Sequence, residues 1–350
     1  MNEMSVLKYP EACQAEIIKK ACPEIGDNQI LTKSIVSNVS AGTEMSFYRG
    51  TAPQFNSAAD AAGLWHDAPD CLAFPMQSDD PGCWWMGYSS ISRVVKVGCH
   101  VTAFREGDLV FSWDTHKSMH ILNESDCFHL PPEANPESAS FLMLTAICFN
   151  AMLDSDIKLT DNVVVIGMGT VGQLIAQMAK LAGANVAAVD FIDARLALAK
   201  RLGADYTINP RHDGDMAQKV HALFGQGADC VFEASGNSLA LPDAVRSARK
   251  DGQVTLVSFY QKPPATFEMG REFHHNRITI RSSQIGGINP QERAKYDIGR
   301  RLRSSLELIQ KMQMEPLISH RCEFGDYPEL LKVLAEAPEK AQSVIIKYLD

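Results

Sequence analysis

Along the first 140 residues, apolar and polar positions alternate in short runs. Gln29 to Val39, Ile91 to Val97, Asp108 to Trp113 and Ser118 to Leu122 read as strands, punctuated by Gly98, Gly107 and the Pro131-Pro132 pair. Near residue 140 the period changes. Asn162 to Ile166 is a β-branched run of the kind buried on both faces of a sheet. Val171 to Leu181 repeats apolar residues at helical spacing and stops at Gly183, a good C-terminal cap. Strands are then expected at Asn185 to Val189, Tyr206 to Ile208, Asp229 to Ala234, Gln253 to Phe259 and Arg277 to Ser282. Helices at Ala194 to Leu202, Met216 to Phe224 and Leu241 to Arg249 separate them. Six strands with intervening helices predict an α/β chain with a doubly wound parallel sheet. From about Ala294 onward, two helices (Ile298 to Met312 and Tyr327 to Ala335) and a closing strand (Ser343 to Tyr348) are too little for a domain. They are expected to pack back onto the β-rich part.

Three hundred and fifty residues are comfortable for two domains. Apolar residues at 45 % and charged residues at 21 % exclude a disordered or low-complexity chain. No apolar run approaches the ~20 residues of a membrane span; the longest, Ser138 to Phe149, is interrupted by polar groups. The start, Met1-Asn2-Glu3-Met4, lacks the basic-then-apolar order of a signal peptide. A net charge of −9 argues against a nucleic-acid partner. The nine cysteines are scattered and never spaced as Cys-x-x-Cys, which suits free thiols in a reducing cytoplasm.

The sharpest motif is Gly167-Met168-Gly169-Thr170-Val171-Gly172. It follows a buried strand, opens a helix and is trailed by Asp190, 18 residues beyond Gly172. Gly167 permits a tight turn, Gly169 lets backbone approach a pyrophosphate, and Gly172 lets helix and strand pack closely. The helix N-terminus, entered through Thr170 and Val171, offers unpaired N–H groups to phosphate. Asp190 can bond both hydroxyls of an adenosine ribose and would repel a 2′-phosphate, so NAD is expected over NADP; Arg195 softens that discrimination. The plainer reading of the motif is a Gly-rich turn in an α/β fold that binds no nucleotide.

These features, with Thr43-Glu44, Gly50, Gly87, Val94 to Gly98, Gly107-Asp108-Leu109-Val110, Leu202 to Asp205 and Phe232 to Gly236, resemble the medium-chain dehydrogenase/reductase superfamily, the zinc alcohol dehydrogenase-like proteins. The resemblance implies a GroES-like catalytic domain from residues 1–141 and 285–350, a Rossmann domain from 142–284, and a substrate cleft between them. It also locates a departure. Ala41, Tyr88 and Phe141 occupy the three positions where zinc members carry catalytic ligands, and the four-cysteine structural lobe is missing, only Cys99 and Cys127 lying in that region. Such side chains build no tetrahedral zinc site, so neither a catalytic nor a structural zinc is expected. The chain looks like the zinc-lacking branch grouped with threonine dehydrogenase-like and bacteriochlorophyllide dehydrogenase-like proteins.

Hydride transfer belongs to the nicotinamide; the protein must orient the carbon and handle a proton. The resemblance makes Thr43 the proton-relay hydroxyl, or else a side chain that bonds its own turn. It puts the Tyr88 phenol where a metal ligand would stand, as proton donor or as cavity filler. Glu44 more readily orients a neighbour than touches substrate. His116, Lys117 and His120 follow Trp113 on what reads as a loop near the cleft, as proton shuttles or as solvated groups. Trp84 and Trp85 can wall a pocket or fill a core, and His274-His275 read as surface. Ser235, Gly236 and Ser258 at C-terminal strand ends, and Thr145 on the entering helix, read as nicotinamide-side contacts. The expected activity is a zinc-independent, NAD-dependent dehydrogenase of a secondary alcohol, such as a polyol, sugar or sugar derivative. An NADPH-dependent quinone or enone reductase and a non-catalytic NAD-binding protein are the alternatives. A homodimer or homotetramer is expected, through pairing of the last sheet strand.

Overall fold

The computed structural model describes residues 3–68, 71–260 and 268–349. The chain divides into two compact units, Met1–Met143 with Ile318–Asp350, and Leu144–Leu317.

The first unit is β-rich. Its main sheet runs in the order Cys127–His129, Leu109–Ser112, Ser90–Val97, Gln29–Asn38, Ser343–Lys347, Ile318–Glu323, with Met119–Asn123 also paired to Gln29–Asn38. Gln29–Asn38 is the hub, bonded to three strands from distant parts of the chain. Its side chains are buried at seven of ten positions, so the simple alternation of a half-exposed strand is lost. A smaller sheet joins Glu16–Ala21, Glu3–Tyr9 and Met76–Gln77. Between them lies a core that includes Leu7, Tyr9, Met45, Tyr48, Met86, Tyr327 and Ile346.

The second unit is a six-stranded parallel sheet in the order Tyr206–Ile208, Asn185–Val189, Asn162–Ile166, Ala228–Glu233, Ala248–Leu256, Thr279–Ser282. This is the doubly wound order, and it reverses direction between Asn162–Ile166 and Ala228–Glu233, where such sheets take ligands. Val163, Val164 and Val165 are fully buried. Helices cover the sheet with ordinary punctuation: Asp215 caps Met216–Phe224 by accepting from the Gln218 N–H at 2.9 Å, and Gly225 closes it at φ 74°.

Two expectations are corrected here. Residues 285–317 do not return to the β-rich unit; they stay with the parallel sheet. The helix Ile298–Lys311 is held there by Arg301, whose Nη1 donates to Asn150 Oδ1 at 2.9 Å and to the Gly287 carbonyl at 3.1 Å. After the helix, Gln313 N–H donates to Gln177 Oε1 at 2.8 Å while Gln177 Nε2 donates back to the Gln313 carbonyl at 3.4 Å. The helix Leu241–Ser247 also ends before Arg249, because Ala248 is already extended and opens the next strand. Among the elements not anticipated from the sequence are the strands Glu3–Tyr9, Glu16–Ala21 and Ile318–Glu323, and the helix Ala41–Tyr48.

The strand Ser343–Lys347 lies inside the main sheet and Ile346 is fully buried. Ile346→Ala is expected to cost about 2–5 kcal/mol in denaturant unfolding. A loss below ~1 kcal/mol would show that this strand is dispensable.

Candidate functional site

The dinucleotide loop sits on the parallel-sheet unit. Gly167 has φ 88°, and a Cβ there would lie 2.6 Å from Ser235 Cα and N. Glycine is therefore required both by the backbone angle and by the approach of the neighbouring loop. A Cβ on Gly172 would meet the Gly167 carbonyl at 1.9 Å, whereas one on Gly169 would meet nothing within 4 Å. The first and third glycines thus serve packing, and the middle one faces open space. Behind it begins the twelve-residue helix Thr170–Leu181, whose first turn through Thr170 and Val171 carries the N–H groups and dipole that suit a pyrophosphate.

Asp190 organises this loop. Its Oδ2 accepts from the Met168 N–H at 2.7 Å and its Oδ1 from the Ile192 N–H at 2.9 Å. The Arg195 guanidinium lies 3.9 Å from the same carboxylate. Gln173, fully buried, donates to the Met168 carbonyl at 3.3 Å and to the Arg195 carbonyl at 2.9 Å, tying both segments to the helix. Across the switch point, Gly236 N–H donates to Ser258 Oγ at 2.9 Å and Ser258 Oγ donates to the Glu233 carbonyl at 3.4 Å. Buried Glu233 accepts from the Ser235 N–H at 2.9 Å, from the Ser235 hydroxyl and from Tyr260. Burial and the Glu233 charge push the Tyr260 phenol far above its ordinary range, so it remains a donor. Glu233 and Tyr260 were missed because nothing local distinguishes a strand-end carboxylate from any other. Thr145 is fully buried on the helix Leu142–Ser155, and its hydroxyl has no hydrogen-bond partner. An orphaned buried hydroxyl is a donor in want of an acceptor. These residues fit a nicotinamide dinucleotide.

The catalytic candidates belong to the β-rich unit, and part of the set converges. Glu44 lies on the helix Ala41–Tyr48 with no exposure. Its Oε1 accepts from the Ser40 N–H at 2.6 Å. Its Oε2 lies 2.9 Å from His116 Nε2 and accepts from the Tyr327 hydroxyl at 3.2 Å. On the other side, His116 Nδ1 lies 2.8 Å from Ser37 Oγ, which lies 2.9 Å from the Tyr348 hydroxyl. With a neutral ring, protons are ordered from Tyr348 to Ser37 to His116 to Glu44. Tyr327 and Tyr348 are both raised well above the ordinary phenol range, chiefly by burial, and so hold their protons. Tyr88 is half-buried and its hydroxyl donates to Ser40 Oγ. Ser40 therefore links Tyr88 to Glu44. Thr43 is half-buried in the first turn, its N–H bonded to the Ser40 carbonyl at 3.0 Å.

The reading of His116, Lys117 and His120 as groups on a solvated loop is corrected. His116 and His120 are 0 % and 1 % exposed. Both nitrogens of His116 face internal partners, which makes it a positioning residue and no shuttle to substrate. Lys117 Nζ pairs with Asp114 Oδ1 at 3.0 Å. His120 Nδ1 meets Asp114 Oδ2 at 2.9 Å, and its Nε2 meets Ser34 Oγ at 2.7 Å and Ser90 Oγ at 3.0 Å. Burial would raise the Asp114 carboxyl, but His120, Lys117 and the Thr115 N–H overcome it and hold it well below the usual carboxylate range. Burial lowers His120 in spite of Asp114. Trp84 is 44 % exposed on a short 3-10 turn, edge-on to Phe47 at 5.6 Å and to Trp85 at 5.8 Å. His274 and His275 are exposed.

At the three positions where zinc relatives carry ligands, Ala41 offers a methyl group, Phe141 is a fully buried ring, and the Tyr88 phenol is bonded to Ser40. They do not fit a zinc ion, which takes thiolate, imidazole or carboxylate.

The family described as zinc-binding dehydrogenase matches residues 170–298. D-guloside 3-dehydrogenase of Shigella flexneri is 28 % identical over 319 residues, covering 86 % of this chain and 87 % of that protein. The crystal structure of 2R,3R-butanediol dehydrogenase from Bacillus subtilis superposes with a TM-score of 0.80 at 18 % identity, covering 98 % of this chain and 99 % of the other. A Sinorhizobium meliloti 1021 protein assigned as a zinc-binding dehydrogenase, solved bound to NADP, gives 0.80 at 18 % identity over 99 % and 100 %. These likenesses carry the fold, a GroES-like unit and a Rossmann unit.

Two outcomes test this geometry. Gly87 has φ 111°, and a Cβ there would lie 2.8 Å from the His116 ring. Gly87→Ala is expected to cost about 2 kcal/mol or more in unfolding; a neutral substitution would mean that His116 is loosely held. The second concerns acid. His120 is lowered in the fold, so the unfolded chain takes its proton first, and stability present above about pH 6.5 is lost as pH falls below it. Asp114 is also lowered, so its contribution holds above about pH 4 and is lost below. The melting temperature is expected to fall between pH 7 and 5, and His120→Gln to flatten that slope. An unchanged slope in the variant would sink the assignment.

Proposed function

This chain belongs to the medium-chain dehydrogenase/reductase superfamily, and from that premise we propose that it is a zinc-independent, NAD-dependent dehydrogenase of a secondary alcohol in a polyol, sugar or sugar derivative. The observation that carries the reading is the Tyr88–Ser40–Glu44–His116 chain in a unit whose expected metal positions hold no ligands. A nicotinamide held by the parallel-sheet unit would supply the hydride acceptor. The chain's own residues must take the hydroxyl proton.

Tyr88 is the group proposed to take that proton while passing its own to Ser40 Oγ, which, being half-buried, releases a proton to solvent. A positioned acid–base group is worth about 10²–10⁴ in rate. Glu44 and His116 fix Ser40 from behind and touch no substrate. Cofactor contacts are assigned to Gly167, Gly169, Thr170, Val171, Gly172, Asp190, Arg195, Ser235, Gly236, Ser258 and Thr145. NAD is preferred because Asp190 keeps a carboxylate at the loop, where a 2′-phosphate would be repelled; Arg195, 3.9 Å away, is already engaged with that carboxylate. The sugar preference is supported by the relation to D-guloside 3-dehydrogenase. Trp84 supports it too, since a half-exposed indole gives the apolar C–H face of a sugar ring a place to rest.

No helix among the described residues is long and apolar enough to cross a membrane. The nine unpaired cysteines support a cytoplasmic location. The strand Thr279–Ser282 ends the parallel sheet and leaves an edge, which supports pairing between two copies in a dimer.

The deciding measurement follows NADH formation by chelator-treated protein over a panel of glycosides and polyols. Turnover that survives metal removal is expected, with Tyr88→Phe about 10² slower in kcat and Trp84→Ala raising KM with little change in kcat. Activity lost on chelation, or a Tyr88→Phe variant as fast as the parent, would overturn the reading.

A further inference from the structure

We propose that Asp27, Cys99 and His100 form a surface site for a divalent transition-metal ion, with zinc the ion that their donors suit. Gln29–Asn38 and Ser90–Val97 pair antiparallel with Ile30 opposite Val97, so the turn before one strand and the turn after the other meet at one end of the sheet. The side-chain ligand atoms of Asp27, Cys99 and His100 lie within 4.8 Å of one another, and all three residues are exposed.

The backbone beneath them is fixed. Gly98 N–H donates to the Gln29 carbonyl at 2.8 Å and His100 N–H to the Asp27 carbonyl at 2.9 Å. A Cβ on Gly98 would lie 2.3 Å from the Asp27 carbonyl oxygen and 2.4 Å from that of Gly26. Only glycine allows the two turns to come this close, and their approach brings the three donors together.

The donor set is one sulfur, one nitrogen and one carboxylate oxygen. Calcium and magnesium take oxygen, whereas a thiolate beside an imidazole suits zinc, with water completing a tetrahedron. Zinc–ligand distances of about 2.0–2.3 Å require the donors to draw in by ~1 Å, which exposed side chains reach by rotation. Without metal, the Cys99 thiol donates a hydrogen bond to the Asp27 carboxylate, which holds the thiol above its ordinary range. On binding, the sulfur–metal bond replaces that proton, which leaves to solvent. The site shares no residue with the cofactor or proton-handling sets, so metal binding and turnover stand or fall separately. The expectation of no zinc counted Cys99 only against a four-cysteine lobe and did not weigh it together with Asp27 and His100.

The test titrates Co²⁺ into full-length, chelator-treated protein under a non-thiol reductant and follows its visible bands and thiolate charge-transfer absorption. One equivalent per chain is expected, displaced by Zn²⁺. Cys99→Ser should abolish the charge-transfer band, His100→Ala and Asp27→Ala should each weaken binding about tenfold or more, and Cys127→Ser should change nothing. A titration with no cobalt–thiolate band, or a band that survives Cys99→Ser, would overturn the site.

Discussion

A carboxylate removed from water must be compensated in full, and Glu44 sets that requirement for the β-rich unit. Its partners come from three places: the Ser40 N–H beside it, the His116 ring from a later loop, and the Tyr327 hydroxyl from the returning end of the chain. The buried charge thereby joins the two chain segments that make up this unit. It also dictates its surroundings. His116 must lie flat against Gly87, where no side chain is tolerated, and its second nitrogen must find Ser37. Removing one member would leave a buried group unpaired, which costs more than the bond itself is worth.

The same economy governs the group proposed to handle the proton. Tyr88 is half-buried, as are Ser40 and Tyr348, whereas Ser37, His116 and Glu44 between them are fully enclosed. Ser40 connects Tyr88 to the buried carboxylate by its hydroxyl on one side and its backbone N–H on the other. A rigid, fully bonded backing is what holds an acid–base group in productive geometry. In a chain that lacks metal ligands at the expected positions, orientation has to come from such a backing.

On the parallel-sheet unit the constraint is steric. Gly167 and Gly172 stand where a Cβ would collide with backbone, while Gly169 faces space. The loop is shaped by its neighbours before any ligand arrives, and Asp190 pins it through two backbone N–H groups. Affinity for a dinucleotide then need not be spent on ordering the loop.

The sequence by itself determined the order of strands and helices in the parallel-sheet unit and several of them to the residue. Asn162–Ile166, Asn185–Val189, Tyr206–Ile208 and Met216–Phe224 lie where hydrophobic period and terminal glycines place them, because strands buried on both faces and capped helices carry local signals. It also determined the dinucleotide loop, whose chemistry lies in six consecutive residues. Only the tertiary structure decided the rest. Residues 285–317 stay with the sheet through Gln177 and Arg301, whose partners no periodicity encodes. The two histidines read as solvated are buried, because carboxylates and hydroxyls up to 86 residues away in the chain surround them and take their ring nitrogens. A local pattern records which face of an element is apolar. It does not record which distant polar group satisfies a buried one, and that is where the candidate chemistry of this protein resides.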